Sequence, residues 1–199
     1  MAANGILDKV GEICRFYSVK VIANHYEQAF ENWLLENSVQ YVSVDQQKRQ
    51  AFVRSRVKSF DFLLYRVQGA PVIAEVKGRK FKGTTLAGLK GLECWVTMDD
   101  VRGMIQWEQV FNASQERGGD ETCEAVFVFA YEFENVDVDP DGREIYEFDG
   151  SRYTFYAIRL DDYREYMTVR SPKWQTVTLP AAKFRQLSLP VRDLILGKK

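Results

Sequence analysis

Between residues 19 and 37 the apolar positions Ile22, Tyr26, Ala29, Phe30, Trp33 and Leu34 recur at intervals of three and four, which predicts a helix with one buried face. Short apolar runs follow at 39–44, 57–65 and 71–77, bounded by Gln68-Gly69 and Gly78. They read as strands, the last two forming a hairpin. Gly83, Gly88 and Gly91 mark a loop. A second helix opens at Thr97, with Asp99 and Asp100 in its first turn where they complement the helix dipole, and continues through Val101, Met104, Ile105 and Phe111. An apolar strand at 125–131 completes the order helix, three strands, helix, strand. Beyond it come an acidic turn at Asp139-Pro140-Asp141-Gly142, strands near 144–148 and 153–160, and a closing segment rich in Tyr, Arg and Trp.

The chain has 199 residues, 46% of them apolar and 14% aromatic, enough for a buried core and too aromatic for a disordered tail. A single domain is expected, with 1–133 as its core and 134–199 as an accessory hairpin and C-terminal extension. The longest apolar stretch, at 125–131, falls far short of the roughly 20 residues of a membrane helix. Asp8, Lys9 and Glu12 interrupt any export signal. A cytoplasmic location without a membrane partner is the expectation. Cys14, Cys94 and Cys123 are odd in number and far apart, so they read as core thiols and not as a disulfide framework or zinc site. His25 is the only histidine, which excludes a multi-histidine centre and leaves oxygen as the ligand for any metal. A hydrolase using Cys or Ser with His25 lacks a nucleophile motif.

The net charge of −1 hides a segregation. Residues 48–90 carry eleven basic side chains against Asp61 and Glu75, a net +9, leaving sixteen basic against twenty-six acidic elsewhere, a net −10. A local basic field suits phosphate recognition; a solvated face is the simpler reading of most charge runs. Two carboxylates embedded among apolar residues tip the balance. Asp61 lies in Phe60-Asp61-Phe62-Leu63-Leu64, and Glu75 and Lys77 lie in Val72-Ile73-Ala74-Glu75-Val76-Lys77. A buried unpaired carboxylate costs several kcal/mol, so such groups are paired, metal-bound or functional. Glu75 and Lys77 share one side of their strand. With a three-residue loop Val67-Gln68-Gly69, Gly69 being left-handed, Asp61 falls opposite Glu75 and Ser59 opposite Lys77; a two-residue loop would turn Asp61 to the other side. Two converging carboxylates suit a hard cation, Mg²⁺ or Mn²⁺, which also takes waters and phosphate oxygens. This points to phosphoryl chemistry, with Lys77 orienting a water or neutralising charge. Glu27, at the edge of the apolar face of the first helix, can look into the same site.

The set Glu27, Asp61 and Glu75-Val76-Lys77 resembles the signature of the PD-(D/E)XK nuclease superfamily, whose core has the same element order, and is most similar to Holliday-junction resolvases. Phe60 stands at the motif's proline position. The resemblance implies an α/β fold: a restriction-endonuclease-like αβββαβ core with a mixed central sheet flanked by helices, followed by a C-terminal α+β elaboration. It further implies Mg²⁺- or Mn²⁺-dependent cleavage of DNA, with Asp61, Glu75 and the Val76 carbonyl as metal ligands and Glu27 as a helper carboxylate or second-metal ligand. Lys58, Arg79 and Lys80, with Arg56 and Lys82, would grip backbone phosphates. Enzymes of this type that act on branched DNA are often dimers, so a homodimer is an expected assembly. The alternative is an inactive scaffold that binds nucleic acid or another partner, with Lys77 ion-paired to Glu75 and Asp61.

Other patterns carry less. Asp137-x-Asp139-x-Asp141-Gly142 copies half a calcium loop but has Phe148 at the twelfth position, so a hairpin turn is expected. Gly83-x4-Gly88-Leu89-Lys90 misplaces the lysine of a phosphate loop. Gln106, Trp107 and Gln109 could face nucleic acid from the second helix, although packing explains Trp107 equally well. Arg152, Arg159, Arg164, Arg170 and Lys173 interleave with Tyr153, Tyr156, Tyr163, Tyr166 and Trp174. That mixture suits stacking on unpaired bases, with core packing beneath a solvated face as the simpler reading.

Overall fold

The computed structural model describes residues 24–44, 58–113 and 122–197. Helix α1 (His25–Glu36) leads into strands β1 (Tyr41–Ser43), β2 (Phe62–Leu64) and β3 (Val72–Phe81). A short strand β4 (Val96–Thr97) precedes helix α2 (Met98–Ala113), which is followed by strand β5 (Glu124–Phe133). Then come β6 (Tyr146–Phe148), β7 (Ser151–Arg159), α3 (Leu160–Tyr166), β8 (Thr168–Ser171), β9 (Thr176–Thr178), α4 (Ala181–Leu187), β10 (Leu189–Pro190) and α5 (Val191–Leu196). The fold is mixed α/β, and no helix among the described residues is long and apolar enough to cross a membrane.

Helix α1 starts at Asn24, whose side chain accepts a hydrogen bond from the Tyr26 amide, as an N-cap should. It buries Ala29, Phe30, Trp33 and Leu34, the face the spacing predicts; positions 19–23 of the expected helix lie outside the described residues. The seven-stranded main sheet runs β1-β2-β3-β5-β7-β10, with β6 also paired to β7. Its centre is the parallel pair β3 and β5, and α2 supplies the crossover that parallel pairing requires.

Alternation along these strands divides the core. Val72, Ala74, Val76, Val126 and Val128 pack with Phe30, Trp33 and Leu34 of α1 and with Val191 and Ile195 of α5. Ile73, Phe81, Phe127 and Phe129 pack on the other side with Val101 and Met104 of α2, Tyr163 of α3 and Phe184 of α4. The sheet is therefore sandwiched between helical layers. Residues beyond 134 do more than decorate it, since β6, β7 and β10 belong to the same sheet. A second small sheet, β4-β9-β8, lies at the start of α2.

Two expectations change. Strand β3 does not end at Gly78 but passes through it to Phe81, because the missing side chain admits Tyr26 of α1: a Cβ at Gly78 would stand 2.0 Å from the Tyr26 ring. Strand β2 is only three residues long, and position 57 of the expected strand lies outside the described residues. The half-calcium loop is a turn, in which the Asp141 amide donates to Asp139 Oδ1 at 2.9 Å. Cys94 and Cys123 are buried free thiols; Cys14 lies outside the described residues. Burial pushes both thiols up, Cys123 to about 11.

Candidate functional site

Register decides which side chains meet. Phe62 stands opposite Ala74, Leu63 opposite Ile73 and Leu64 opposite Val72, so one step further Asp61 comes opposite Glu75. The paired strands close at Leu64 and Val72, leaving a longer connection than the three-residue loop, with Gly69 left-handed at φ 91. The expected pairing of Ser59 with Lys77 does not form, because β2 pairs with β3 only as far as Phe62. Phe60 instead swings against Trp107 and Phe111 of α2, at ring separations of 5.3 and 5.9 Å.

Where the ladder stops, Asp61 takes over. Its Oδ2 accepts the Val76 amide at 2.8 Å, a backbone donor that would otherwise lack a strand partner on that side. Glu75 and Lys77 follow on the α2 side of β3, and Lys77 Nζ lies 2.8 Å from Glu75 Oε1 and 3.0 Å from Asp100 Oδ1. Asp100 is the residue the sequence reading missed. As a helix-cap residue it was expected in the first turn of α2, where its Oδ2 accepts the Thr97 amide and its own amide donates to Thr97 Oγ1. No pattern in the chain signals that Oδ1 would also receive two ammonium groups, from Lys77 and Lys58. The rival expectation, Lys77 paired with Glu75 and Asp61, is corrected in its second partner: Asp100 takes that place.

Lys58 is seated by α2. Its carbonyl accepts from Trp107 Nε1 at 2.9 Å, and at Gly103 an added Cβ would stand 2.9 Å from that same oxygen. Lys58 Nζ contacts Asp100 Oδ1 and lies 3.6 Å from Glu75 Oε1. Burial and then the Lys77 charge hold its ammonium below the usual lysine range. Trp107 is thus a packing and positioning residue of α2.

Four acids are nearly covered here: Glu27 is 7%, Asp61 4%, Glu75 5% and Asp100 3% exposed. Glu27 lines the same cleft of about 440 Å³ as Asp61, Glu75 and Lys77, and Asn24 Nδ2 donates to its Oε1 at 3.2 Å. Among the described residues no three Asp, Glu, His or Cys side chains form a group that could hold a metal ion, although the Glu27 charge acts on Asp61. Glu75 Oε2 is buried without a hydrogen-bond partner among the described residues. A lone buried carboxylate oxygen beside a second carboxylate fits a hard cation, and Asp61, Glu75 and the Val76 carbonyl are the groups that could hold it.

The basic residues separate. Arg79 lines the cleft but donates to the Gly78 and Trp95 carbonyls and stacks on the Trp95 ring. Lys80 and Lys82 are exposed and pair with Glu134 at 3.4 and 3.9 Å. Arg56 lies outside the described residues. His25 Nε2 sits 3.2 Å from Glu132 Oε2.

Burial, then the charges of Glu75 and Glu27, push the Asp61 carboxyl up to about 7 against the Val76 hydrogen bond and Lys77. The metal-free fold therefore binds this proton more tightly than the unfolded chain does. Asp61's contribution to stability is present below about pH 4 and is lost as pH rises to about 7. Asp61→Asn keeps an acceptor for Val76 and removes the charge. In EDTA it is expected to melt above wild type at pH 8, the difference shrinking towards pH 4; equal melting temperatures at pH 8 would refute this.

Comparison of the chain with protein-family models, with curated proteins and with solved structures returns no match.

Proposed function

We propose that the protein is a divalent-metal-dependent nuclease of the PD-(D/E)XK type that hydrolyses phosphodiester bonds of DNA. The observation that carries this reading is Asp61 opposite Glu75 with Lys77 alongside, in one cleft where Glu75 Oε2 is buried without a hydrogen-bond partner among the described residues. A bound Mg²⁺ or Mn²⁺ would supply charge for the phosphate and a more acidic water. Asp61, Glu75 and the Val76 carbonyl would hold it, and the Val76 amide fixes the direction of Asp61. Lys77, braced between Glu75 and Asp100, presents an ammonium that orients the attacking water or offsets charge developing on the phosphate. Lys58 adds a second positive group from the α2 side. Glu27, which lines the same cleft, would serve as a helper carboxylate or second-metal ligand.

A second reading is an inactive scaffold of the same fold. The ion pairs of Lys77 favour it, since an ammonium already satisfied by two carboxylates needs no substrate. One set of experiments separates the two: purified protein with supercoiled plasmid, branched DNA and single strands in Mg²⁺, Mn²⁺ or EDTA, and calorimetric titration with each metal. Metal-dependent nicking and metal binding are expected. No cleavage of any substrate together with no metal binding would overturn the nuclease reading.

A further inference from the structure

From Tyr166 to the last residue the chain carries seven Lys and Arg against one acid, Asp193, a basic end on a segment that is acidic before it. The structure splits the aromatics from Tyr153 to Trp174. Tyr153, Tyr156 and Tyr163 are core residues, so packing accounts for them. Trp174 is 70% and Val169 69% exposed, on the β8–β9 hairpin, whose inward residues Val177 and Leu179 already fill the core. Lys173 Nζ lies 5.3 Å from the Trp174 ring, and Arg170 and Lys173 are the only charged residues at 167–179.

The hairpin is joined to the cleft. Strand β9 pairs with β4, and the Met98 amide donates to the Gln175 carbonyl at 2.8 Å, which ties the turn carrying Trp174 to the helix that carries Asp100. On the other side Arg79, a cleft-lining residue, stacks 3.8 Å from the Trp95 ring, and Arg170 approaches the same ring at 5.0 Å. Glu93 is the acid in this row, paired with Arg170 at 3.5 Å and accepting from Trp95 Nε1. Cation and ring thus alternate outward from the cleft, from Arg79 to Trp95 to Arg170. Trp95 is half-buried and engaged by these two guanidinium groups, whereas Trp174 presents an exposed ring beside Lys173. An exposed ring next to cations binds unpaired nucleic acid, because every base offers a face to stack on and every linkage a negative charge.

We propose that the β8–β9 hairpin is a docking surface for an unpaired nucleic-acid strand leaving the cleft, in which Trp174 stacks on a base and Arg170 and Lys173 face its phosphates, with Trp95 holding Arg170 in place. This rests on the nuclease reading for its ligand class and extends it to the substrate: DNA with a single-stranded arm.

The test is binding in EDTA, where no cleavage is needed. Fluorescence anisotropy of a labelled oligothymidylate and of a duplex of equal length is measured with wild type, Trp174→Ala, Trp174→Phe and Lys173→Ala, each checked for folding by thermal melt. Trp174→Ala is expected to weaken single-strand binding about tenfold relative to duplex binding, and Trp174→Phe to restore most of it. Lys173→Ala is expected to reduce the slope of log affinity against log salt by about 0.7. An unchanged single-strand to duplex ratio in Trp174→Ala, no binding by wild type, or displacement of the oligonucleotide by polyglutamate as readily as by unlabelled strand would each overturn the proposal. Plasmid nicking by wild type with Mg²⁺ reports separately on the nuclease reading, so the two can fail independently.

Discussion

Lys77→Ala is expected to slow metal-dependent cleavage by about 10²- to 10³-fold while leaving metal affinity near wild type. The ammonium touches Glu75 and Asp100 but supplies no oxygen to a cation, so its loss separates charge stabilisation from metal binding. Asp61→Ala is expected to lose both, because it removes a ligand and releases the Val76 amide. Calorimetry and a plasmid-nicking assay on the two variants side by side check this. Equal loss of metal binding in both variants would mean that Lys77 acts only by holding Glu75 in place.

The second large effect belongs to Asp100. Asp100→Ala is expected to lower stability by about 2–4 kcal/mol, since it removes a helix cap and leaves two cations beside Glu75 with one carboxylate fewer. Asp100→Asn preserves an acceptor for the Thr97 amide and loses only the charge, so a smaller loss is expected in a urea titration. Cleavage should fall in both variants, because Lys58 and Lys77 both lean on Oδ1. If Asp100→Asn unfolds as easily as Asp100→Ala, capping contributes little and the two ammonium contacts carry the effect.

Much of this site was legible in the chain because strand alternation is rigid. Once Gly69 is left-handed and the hairpin register set, Asp61 has to meet Glu75, and Glu75 has to share a side with Lys77. The face of α1 followed equally directly from the spacing of Ala29, Phe30, Trp33 and Leu34. Legibility ended where a contact depends on how separate elements dock. Asp100 announces itself as a cap and nothing more, since its second duty depends on where α2 lies against β3. Arg79 looked like a phosphate grip, but Trp95, sixteen residues on, supplies a ring and a carbonyl that engage its guanidinium. Gly78 looked like a strand end because a missing side chain has two uses, to break a strand or to let a neighbour close in, and sequence alone does not choose between them. The C-terminal aromatics read as one mixture although Tyr163 is buried and Trp174 exposed.

The two covered thiols turn the protein into its own opening gauge. Cys94 is tied to the small sheet through Thr178 and Leu179, and Cys123 to the C-terminal part of α2 through Asn112. Burial holds both as poorly acidic thiols with almost no access to solvent, so neither should react with an alkylating reagent until its own neighbourhood lets go. Peptide-resolved labelling over time would therefore clock the release of the β4-β9-β8 sheet and the loosening of the helix behind the central strands as two separate events in one unmodified sample.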